Sequence, residues 1–95
     1  SEIHDFGPSK KGEDLIHAFK FTNSGSDTLV IDRVEVECNC TKAEASKKIL
    51  LPGESATIGV ILSTETFNGL TVKNVIIHSN TKSGKKTLSL TTETF

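Results

Sequence analysis

The sequence has 95 residues, 35% of them hydrophobic and 24% charged, and a formal net charge of −1. This length predicts one small domain over residues 1–95, and the composition is ordinary for a globular protein. The near-neutral charge argues against a nucleic-acid-binding surface, which needs an excess of Lys and Arg. No apolar run is long enough to span a membrane. We therefore expect neither a nucleic-acid partner nor a membrane-spanning segment.

The chain contains no methionine, not even at position 1. It also has no positively charged leader followed by an apolar segment, the pattern of a secretory signal peptide. We therefore expect a mature or trimmed fragment whose targeting signal has been removed.

Two-residue alternation of apolar and polar residues predicts the first strands. A short strand is predicted over Ile3–Phe6, closed by Gly7-Pro8. The next strand lies in LIHAFKFTN, and its core face is predicted to hold Leu15, His17, Phe19 and Phe21. The segment NSGSD is rich in turn-forming residues and ends this strand.

The third strand lies in TLVIDRVEVE, where Asp32-Arg33 interrupts the alternation and predicts a bulge. Beyond it, Val34, Val36, Cys38 and Cys40 are predicted to share one face. A loop of Lys, Glu, Ala and Ser follows, and Pro52-Gly53 predicts a turn before the strand ATIGVILS.

Asn68-Gly69 predicts a hairpin with a type I′ turn, in which both central residues have positive φ. The strand over residues 70–79 should then pair back on the preceding one. A polar turn over residues 80–86 leads to the last strand, Thr87–Phe95, whose many threonines predict an exposed edge. About seven strands at short spacing predict an all-β protein with a β-sandwich fold.

Five motifs occur in a fixed order along the chain. They are HDFG at 4–7, GEDLIHAFKFTNSG at 12–25, ECNCT at 37–41, LLPGESATIGV at 50–60 and IIHSN at 76–80. Together they resemble a bacterial domain-of-unknown-function family with an immunoglobulin-like fold, similar to Hydin-type (ASH) and major-sperm-protein domains. Asn39 stands where that family usually has glycine, and the usual Asp-Pro after Asn80 is missing.

The resemblance implies a module of a bacterial envelope or secreted protein, periplasmic or extracellular and often part of a lipoprotein or a larger chain. It supplies no catalytic residues. We therefore expect a non-catalytic structural or protein-interaction module, monomeric, with no required cofactor and a protein partner that the sequence does not name.

Cys38 and Cys40 are the only two cysteines. In an extended strand, residues two apart are separated by about 6.6 Å, whereas a disulfide needs Cβ atoms about 3.8 Å apart. A bridge therefore requires a sharp bend at Asn39, for which Asn can adopt a left-handed conformation, and it would close a very small loop. The alternative is that both thiols are small, partly buried hydrophobic groups at a strand end.

A third interpretation is a soft-metal or thiol-redox site. Two thiolates on one face suit copper or zinc, and His4 or His17 could complete the ligand set with Cys38 and Cys40. A reactive thiol is disfavoured because the neighbouring glutamates should raise a cysteine pKa. His4 and Asp5 are expected to fix the first strand by hydrogen bonds rather than to act in acid–base catalysis.

Overall fold

The computed structural model describes residues 2–81 and 84–95, and within them it contains eight β-strands. The strands are β1 (Glu2–Ser9), β2 (Asp14–Thr22), β3 (Leu29–Val36), β4 (Thr41–Ala45), β5 (Ile49–Leu50), β6 (Ser55–Ser63), β7 (Gly69–Ser79) and β8 (Lys85–Thr94). No helix among the described residues is long and apolar enough to cross a membrane.

The strands form two sheets packed face to face. The larger sheet has the order β1-β8-β7-β3-β5 and the smaller one the order β2-β6-β4. Strand β1 runs parallel to β8, and the other pairs are antiparallel. This is an immunoglobulin-like β-sandwich, which confirms the predicted fold class.

The core lies between the sheets and follows from the alternation of each strand. In β6 every second residue is buried, from Ala56 to Leu62. On β2, which pairs with β6 in the same sheet, Phe19 is buried, and Leu15 and Phe21 pack against the core as predicted. Completely buried side chains of the larger sheet complete it: Leu50, Val75 and Leu90 have no exposed surface.

Two predicted irregularities are confirmed. The pairing of β3 with β7 shifts register between Ile31 and Arg33, which is the bulge predicted at Asp32-Arg33. The chain turns at Pro52-Gly53, where Gly53 has a φ of +86°. Both signals are local, because they depend on backbone conformations that few residues adopt.

The first strand is longer than predicted. It continues through Gly7-Pro8 to Ser9, and its register against β8 shifts between Asp5 and Pro8. Gly7 has a φ of +71°, and its amide donates a hydrogen bond of 2.8 Å to Asp5 Oδ1. The Gly-Pro pair therefore makes a bulge in an edge strand rather than the end of that strand.

The predicted hairpin at Asn68-Gly69 is wrong. Gly69 has a φ of +73°, but no described non-glycine residue has positive φ, so Asn68 lacks the type I′ conformation. The strands on either side belong to different sheets, since β6 pairs with β2 and β4 while β7 pairs with β3 and β8. Both sides of β6 are occupied, so β7 crosses to the other sheet.

The last strand is not an edge, contrary to the prediction from its threonines. It lies between β1 and β7, and Thr92 and Thr94 are buried. Thr92 Oγ1 lies 2.7 Å from Ser9 Oγ and donates a bond of 2.9 Å to the Gly7 carbonyl. Thr94 Oγ1 donates a bond of 3.3 Å to the Gly69 carbonyl at the start of β7. The two threonine hydroxyls are therefore satisfied by the neighbouring strands rather than by solvent.

Strand β4 lies in the segment predicted to be a loop, and the two-residue strand β5 lies just before the turn at Pro52-Gly53, where no strand was predicted. The sequence of β4 favours a strand weakly, because Lys, Glu and Ala are poor strand formers. Pairing with β6 makes β4 a strand regardless, and it turns Thr41, Ala43 and Ala45 towards the core. The polar turn predicted over residues 80–86 includes residues 82–83, which lie outside the described part of the chain.

Candidate functional site

The two cysteines lie in a tight turn between the sheets. The chain leaves β3 at Val36 and enters β4 at Thr41, and the Thr41 amide donates a hydrogen bond of 3.2 Å to the Cys38 carbonyl. The Ser63 amide donates a bond of 2.8 Å to the Cys40 carbonyl, which fixes the turn to the end of β6. Cys38 and Cys40 are therefore not on the extended strand that the sequence predicted.

Cys38 and Cys40 form a disulfide, with their Cα atoms 5.3 Å apart. This separation lies within the usual range of about 4.4–6.8 Å for disulfides. The chain bends at Asn39, as a bridge between these residues requires. Asn39 does not use the left-handed conformation that is open to it, because no described non-glycine residue has positive φ.

Polar groups surround the half-buried sulfurs. The Cys40 amide points at Cys38 Sγ over 3.3 Å, and the buried Thr41 hydroxyl lies 3.5 Å from Cys40 Sγ and 3.9 Å from Cys38 Sγ. A shallow depression beside the turn is lined in part by Phe67 and Lys73. If the bridge were reduced, the amide of Cys40 would stabilise a thiolate on Cys38.

His4 and His17 lie together, but in a different environment. Their rings stack with centroids 3.6 Å apart and planes at 11°. Phe6 meets the His4 ring edge-on at 4.6 Å, and Phe19 meets the His17 ring edge-on at 4.7 Å. Since His4 belongs to β1 and His17 to β2, this aromatic cluster joins one edge of the larger sheet to one edge of the smaller sheet.

The structure does not bring the four predicted metal ligands into one group. The strand that carries His17 and the strand that follows the cysteines lie on opposite sides of β6. No three His, Cys, Asp or Glu side chains within residues 2–81 and 84–95 are arranged to hold a metal ion. Metal binding by Cys38 and Cys40, with His4 or His17, stays a prediction for the reduced protein.

Two carboxylates near the predicted site have structural partners. Asp5 Oδ1 accepts hydrogen bonds from the Gly7 amide and, at 3.0 Å, from the Thr91 hydroxyl. These two donors lower the pKa of Asp5. Glu35 lies 2.8 Å from His78 Nε2, and that hydrogen bond lowers the pKa of Glu35. Because Thr91 belongs to β8, its hydrogen bond to Asp5 fixes β1 to β8, as the sequence predicted.

Sequence reasoning missed an apolar cleft between the sheets. It has a volume of about 310 Å³ and is lined by Phe19, Phe21, Ile77 and Leu88, with Lys86 among the residues around it. The cleft lies between β2 of the smaller sheet and β7 and β8 of the larger sheet. Its presence depends on how the two sheets pack, which no local sequence pattern reports.

Sequence reasoning also missed the open edge of β2. The Asn23 amide donates to the Glu54 carbonyl over 2.9 Å, and the Thr64 amide donates to the Glu13 carbonyl over 3.1 Å. In an antiparallel ladder, residue pairs that exchange hydrogen bonds alternate with pairs that do not. These two bonds therefore show which residues of β2 are hydrogen-bonded to β6. Odd-numbered residues of β2 therefore bond to β6. The amides and carbonyls of Ile16, Ala18 and Lys20 point away from the sheet.

The two sheets, the disulfide turn and the open edge define an immunoglobulin-like domain with an unpaired strand edge. The chain belongs to the family described as "Protein of unknown function (DUF1573)", whose model matches residues 1–94. No protein in the curated set matches the chain.

Solved structures with a similar fold include proteins from two bacteria. A protein of unknown function from Porphyromonas gingivalis W83 matches with a TM-score of 0.86 and 18% identity, over 98% of this chain and 44% of that chain. Vibrio cholerae VesB protease matches with a TM-score of 0.76 and 14% identity, over 98% and 30%. The secreted serine protease VesC from Vibrio cholerae matches with a TM-score of 0.73 and 21% identity, over 95% and 21%. The chain thus spans less than half the length of each of these structures.

Proposed function

We propose that this domain is a non-catalytic structural or protein-interaction module of a bacterial envelope or secreted protein, and that it binds an extended segment of a partner at the edge of β2. The observation that carries the proposal is the row of outward-pointing backbone groups at Ile16, Ala18 and Lys20. Such a row is a template for a further strand, which gains main-chain hydrogen bonds on binding.

The other edge strands are less suited to this role. Strand β1 has a bulge and a proline, and β5 has two residues. Strand β4 has five residues and carries Lys42 and Glu44. These are the features with which proteins block pairing at sheet edges. Strand β2 has nine residues, no proline and an unbroken register with β6, so it is the edge best suited to accept a strand.

Two observations support a location outside the cytoplasm. The Cys38–Cys40 bridge suits an oxidising compartment, where disulfides persist. A structure with a similar fold is described as a secreted protease, in which the matched part is about a fifth of the chain. Because the matched part is only about a fifth of that protease, the comparison also supports a role for this domain as one module of a larger protein.

The experiment uses extended peptides selected from a displayed random library against the wild-type domain. Ala18→Pro removes one outward amide and leaves the ladder with β6 intact, because proline is tolerated on the free side of an edge strand. The selected peptides should lose at least about tenfold in affinity for this variant, as expected when a proline removes a main-chain bond and obstructs its neighbours.

The matched control is Ala18→Ser, which keeps the amide and should bind the peptides like the wild type. Circular dichroism and urea unfolding establish that both variants are folded. Equal binding to Ala18→Pro and Ala18→Ser would place the peptides somewhere other than the β2 edge and would count against the proposal.

A second candidate function is thiol–disulfide exchange at Cys38 and Cys40, favoured by the Cys40 amide that points at Cys38 Sγ. A partner thiolate would attack one sulfur, form a mixed disulfide and release the other as a thiolate. A second partner thiol would then resolve the mixed disulfide, leaving both cysteines reduced and the partner oxidised. Mass spectrometry after incubation with a dithiol peptide tests this: unchanged masses of protein and peptide exclude the exchange.

A further inference from the structure

The outer face of the smaller sheet carries two neighbouring rows of side chains with different shapes. One row contains Ile16, Ile61 and Lys42, and the next contains Ala18, Gly59 and Glu44. Ile16 is 72% exposed and Ile61 is 42% exposed. The first row therefore projects two large apolar side chains, and the second row is a hollow beside them.

The fold itself does not require glycine at position 59. Gly59 does not have positive φ, and a Cβ added there would meet no atom closer than the Glu44 carbonyl oxygen at 3.9 Å. Glycine inside a strand weakens the strand, and it often marks a bulge, a tight bend or a place where a ligand or another backbone approaches closely. The pairing of β6 with both neighbours is regular through Gly59, so there is no bulge there. The hollow at Gly59 is therefore best explained by something that packs on this face.

We propose that the face formed by these rows binds a second copy of the chain. The two copies would be related by a two-fold axis that lies between them, parallel to the sheet and perpendicular to its strands. This axis passes over the row of residues midway between the two outer rows, which contains His17, Val60 and Ala43. It places Ile61 of each copy over Gly59 of the other. It also places Ile16 over Ala18, so each projection enters a hollow, as a self-complementary two-fold interface requires.

The charges on the same face follow the same symmetry. The axis places Lys42 of each copy opposite Glu44 of the other, and Asp14 opposite Lys20. All four side chains are exposed, and none of them is in an ion pair with another described residue of its own chain. Two pairs of opposite charge, each occurring twice, therefore flank the apolar centre and fix the register of the two copies.

The size of the face indicates a weak dimer. Strands β2 and β6 have nine residues each and β4 has five. At about 3.3 Å per residue and about 4.8 Å between strands, the face presents roughly 360 Å² per copy. The total for two copies is below the roughly 1,000 Å² that a stable interface buries, as expected of a weak, transient association. The proposal replaces the monomer predicted from the sequence with a monomer–dimer equilibrium, and it is independent of strand addition at the edge of β2.

Sedimentation equilibrium of the wild-type domain, from about 10 µM to about 1 mM, measures this equilibrium in the range expected for a small interface. The average mass should rise from monomer towards dimer. Gly59→Val fills the hollow, and its Cβ meets no atom of the chain closer than 3.9 Å, so the variant should stay folded and remain monomeric over the same range. Urea unfolding confirms that it is folded.

A charge exchange tests the register of the two copies. Lys42→Glu and Glu44→Lys should each raise the dimer dissociation constant by about tenfold, because each places like charges opposite one another twice. The double variant K42E/E44K exchanges the two charges and should restore the wild-type constant. No simple loss of stability predicts such a restoration.

Three outcomes would overturn the proposal: a wild-type domain that is monomeric at all concentrations, a dimer that Gly59→Val leaves unchanged, or a double variant no better than the single ones. None of these outcomes affects peptide binding at the β2 edge. The effect of Ala18→Pro on peptide binding tests strand addition, and the effect of Lys42→Glu on the dimer dissociation constant tests the dimer. Either proposal can therefore fail while the other holds.

Discussion

The rings of His4 and His17 stack 3.6 Å apart and join the two sheets of the sandwich at one open side. His4 lies on β1, at the edge of the five-stranded sheet, and His17 lies on β2, at the edge of the three-stranded sheet. The pair therefore holds together two strands that share no backbone ladder. Its position indicates a structural role for both histidines in the folded domain.

Replacing His4 with alanine removes the stacked ring and its edge contact with Phe6. We expect the free energy of unfolding to fall by about 1–2 kcal/mol, from the lost aromatic contacts and the apolar area they cover. Urea unfolding at pH 7 measures this change. Ile3→Ala, at an exposed position in the same strand, is the control and should differ little from the wild type.

The stability of the domain should depend on the ionisation of Asp5. Hydrogen bonds from Gly7 and Thr91 hold the pKa of Asp5 below its usual value of 3.8. The unfolded chain therefore takes up a proton at higher pH than the folded chain does. The stabilisation is fully present above the unfolded pKa and is lost as pH falls through the folded pKa.

Asp5→Asn removes this carboxylate and keeps a side-chain oxygen that can accept the Gly7 amide. Urea unfolding from pH 7 down to strongly acidic conditions should show a smaller loss of stability on acidification in the variant than in the wild type. Parallel pH profiles for the two proteins would show that Asp5 does not contribute to this dependence.

Substitution of Gly69 should destabilise the domain although the predicted hairpin is absent. Its φ of +73° is a conformation that a β-branched residue adopts only with strain. We expect Gly69→Val to destabilise the domain by about 1–2 kcal/mol, seen as a lower melting temperature. Asn68→Ala is the matched neighbour: it loses an exposed bond from Lys11 Nζ to Asn68 Oδ1, and its effect should be small. Equal effects at the two positions would contradict a backbone origin.

The cysteines give a prediction about thiol chemistry. The native, unreduced protein should show no thiol that reacts with a thiol reagent, because Cys38 and Cys40 are joined. After reduction it should show two. Zinc titration of the reduced protein then tests the predicted metal site, with Cys38→Ser, His4→Ala and His17→Ala as variants. Stoichiometric zinc lost in Cys38→Ser would support a metal site, whereas binding that the variants do not alter would exclude these ligands.

Local signals in the sequence predicted much of the fold. The core face of β2, the bulge near Asp32 and the turn at Gly53 depend on alternation and on residues with special backbone preferences. The pairing of distant strands does not. The Asn68-Gly69 motif predicts a hairpin, yet β6 already has partners on both sides and β7 crosses to the other sheet.

The candidate site was predictable only in part. The adjacent cysteines identify a bridge or a metal site, and their spacing shows that a bridge needs a bend at Asn39. Whether the chain bends there depends on how it crosses from β3 to β4, which long-range pairing decides. The stack of His4 on His17 and the open edge of β2 depend on the same long-range arrangement, so no motif reports them.

Amide hydrogen exchange along β2 tests the proposed interaction edge most directly. In the free domain, the amides of His17 and Phe19 should be protected by β6, whereas those of Ile16, Ala18 and Lys20 should exchange rapidly. Binding of a selected extended peptide should slow exchange at the three even-numbered positions. Even-numbered amides that are already protected in the free domain, or that still exchange rapidly in the complex, would contradict strand addition at this edge.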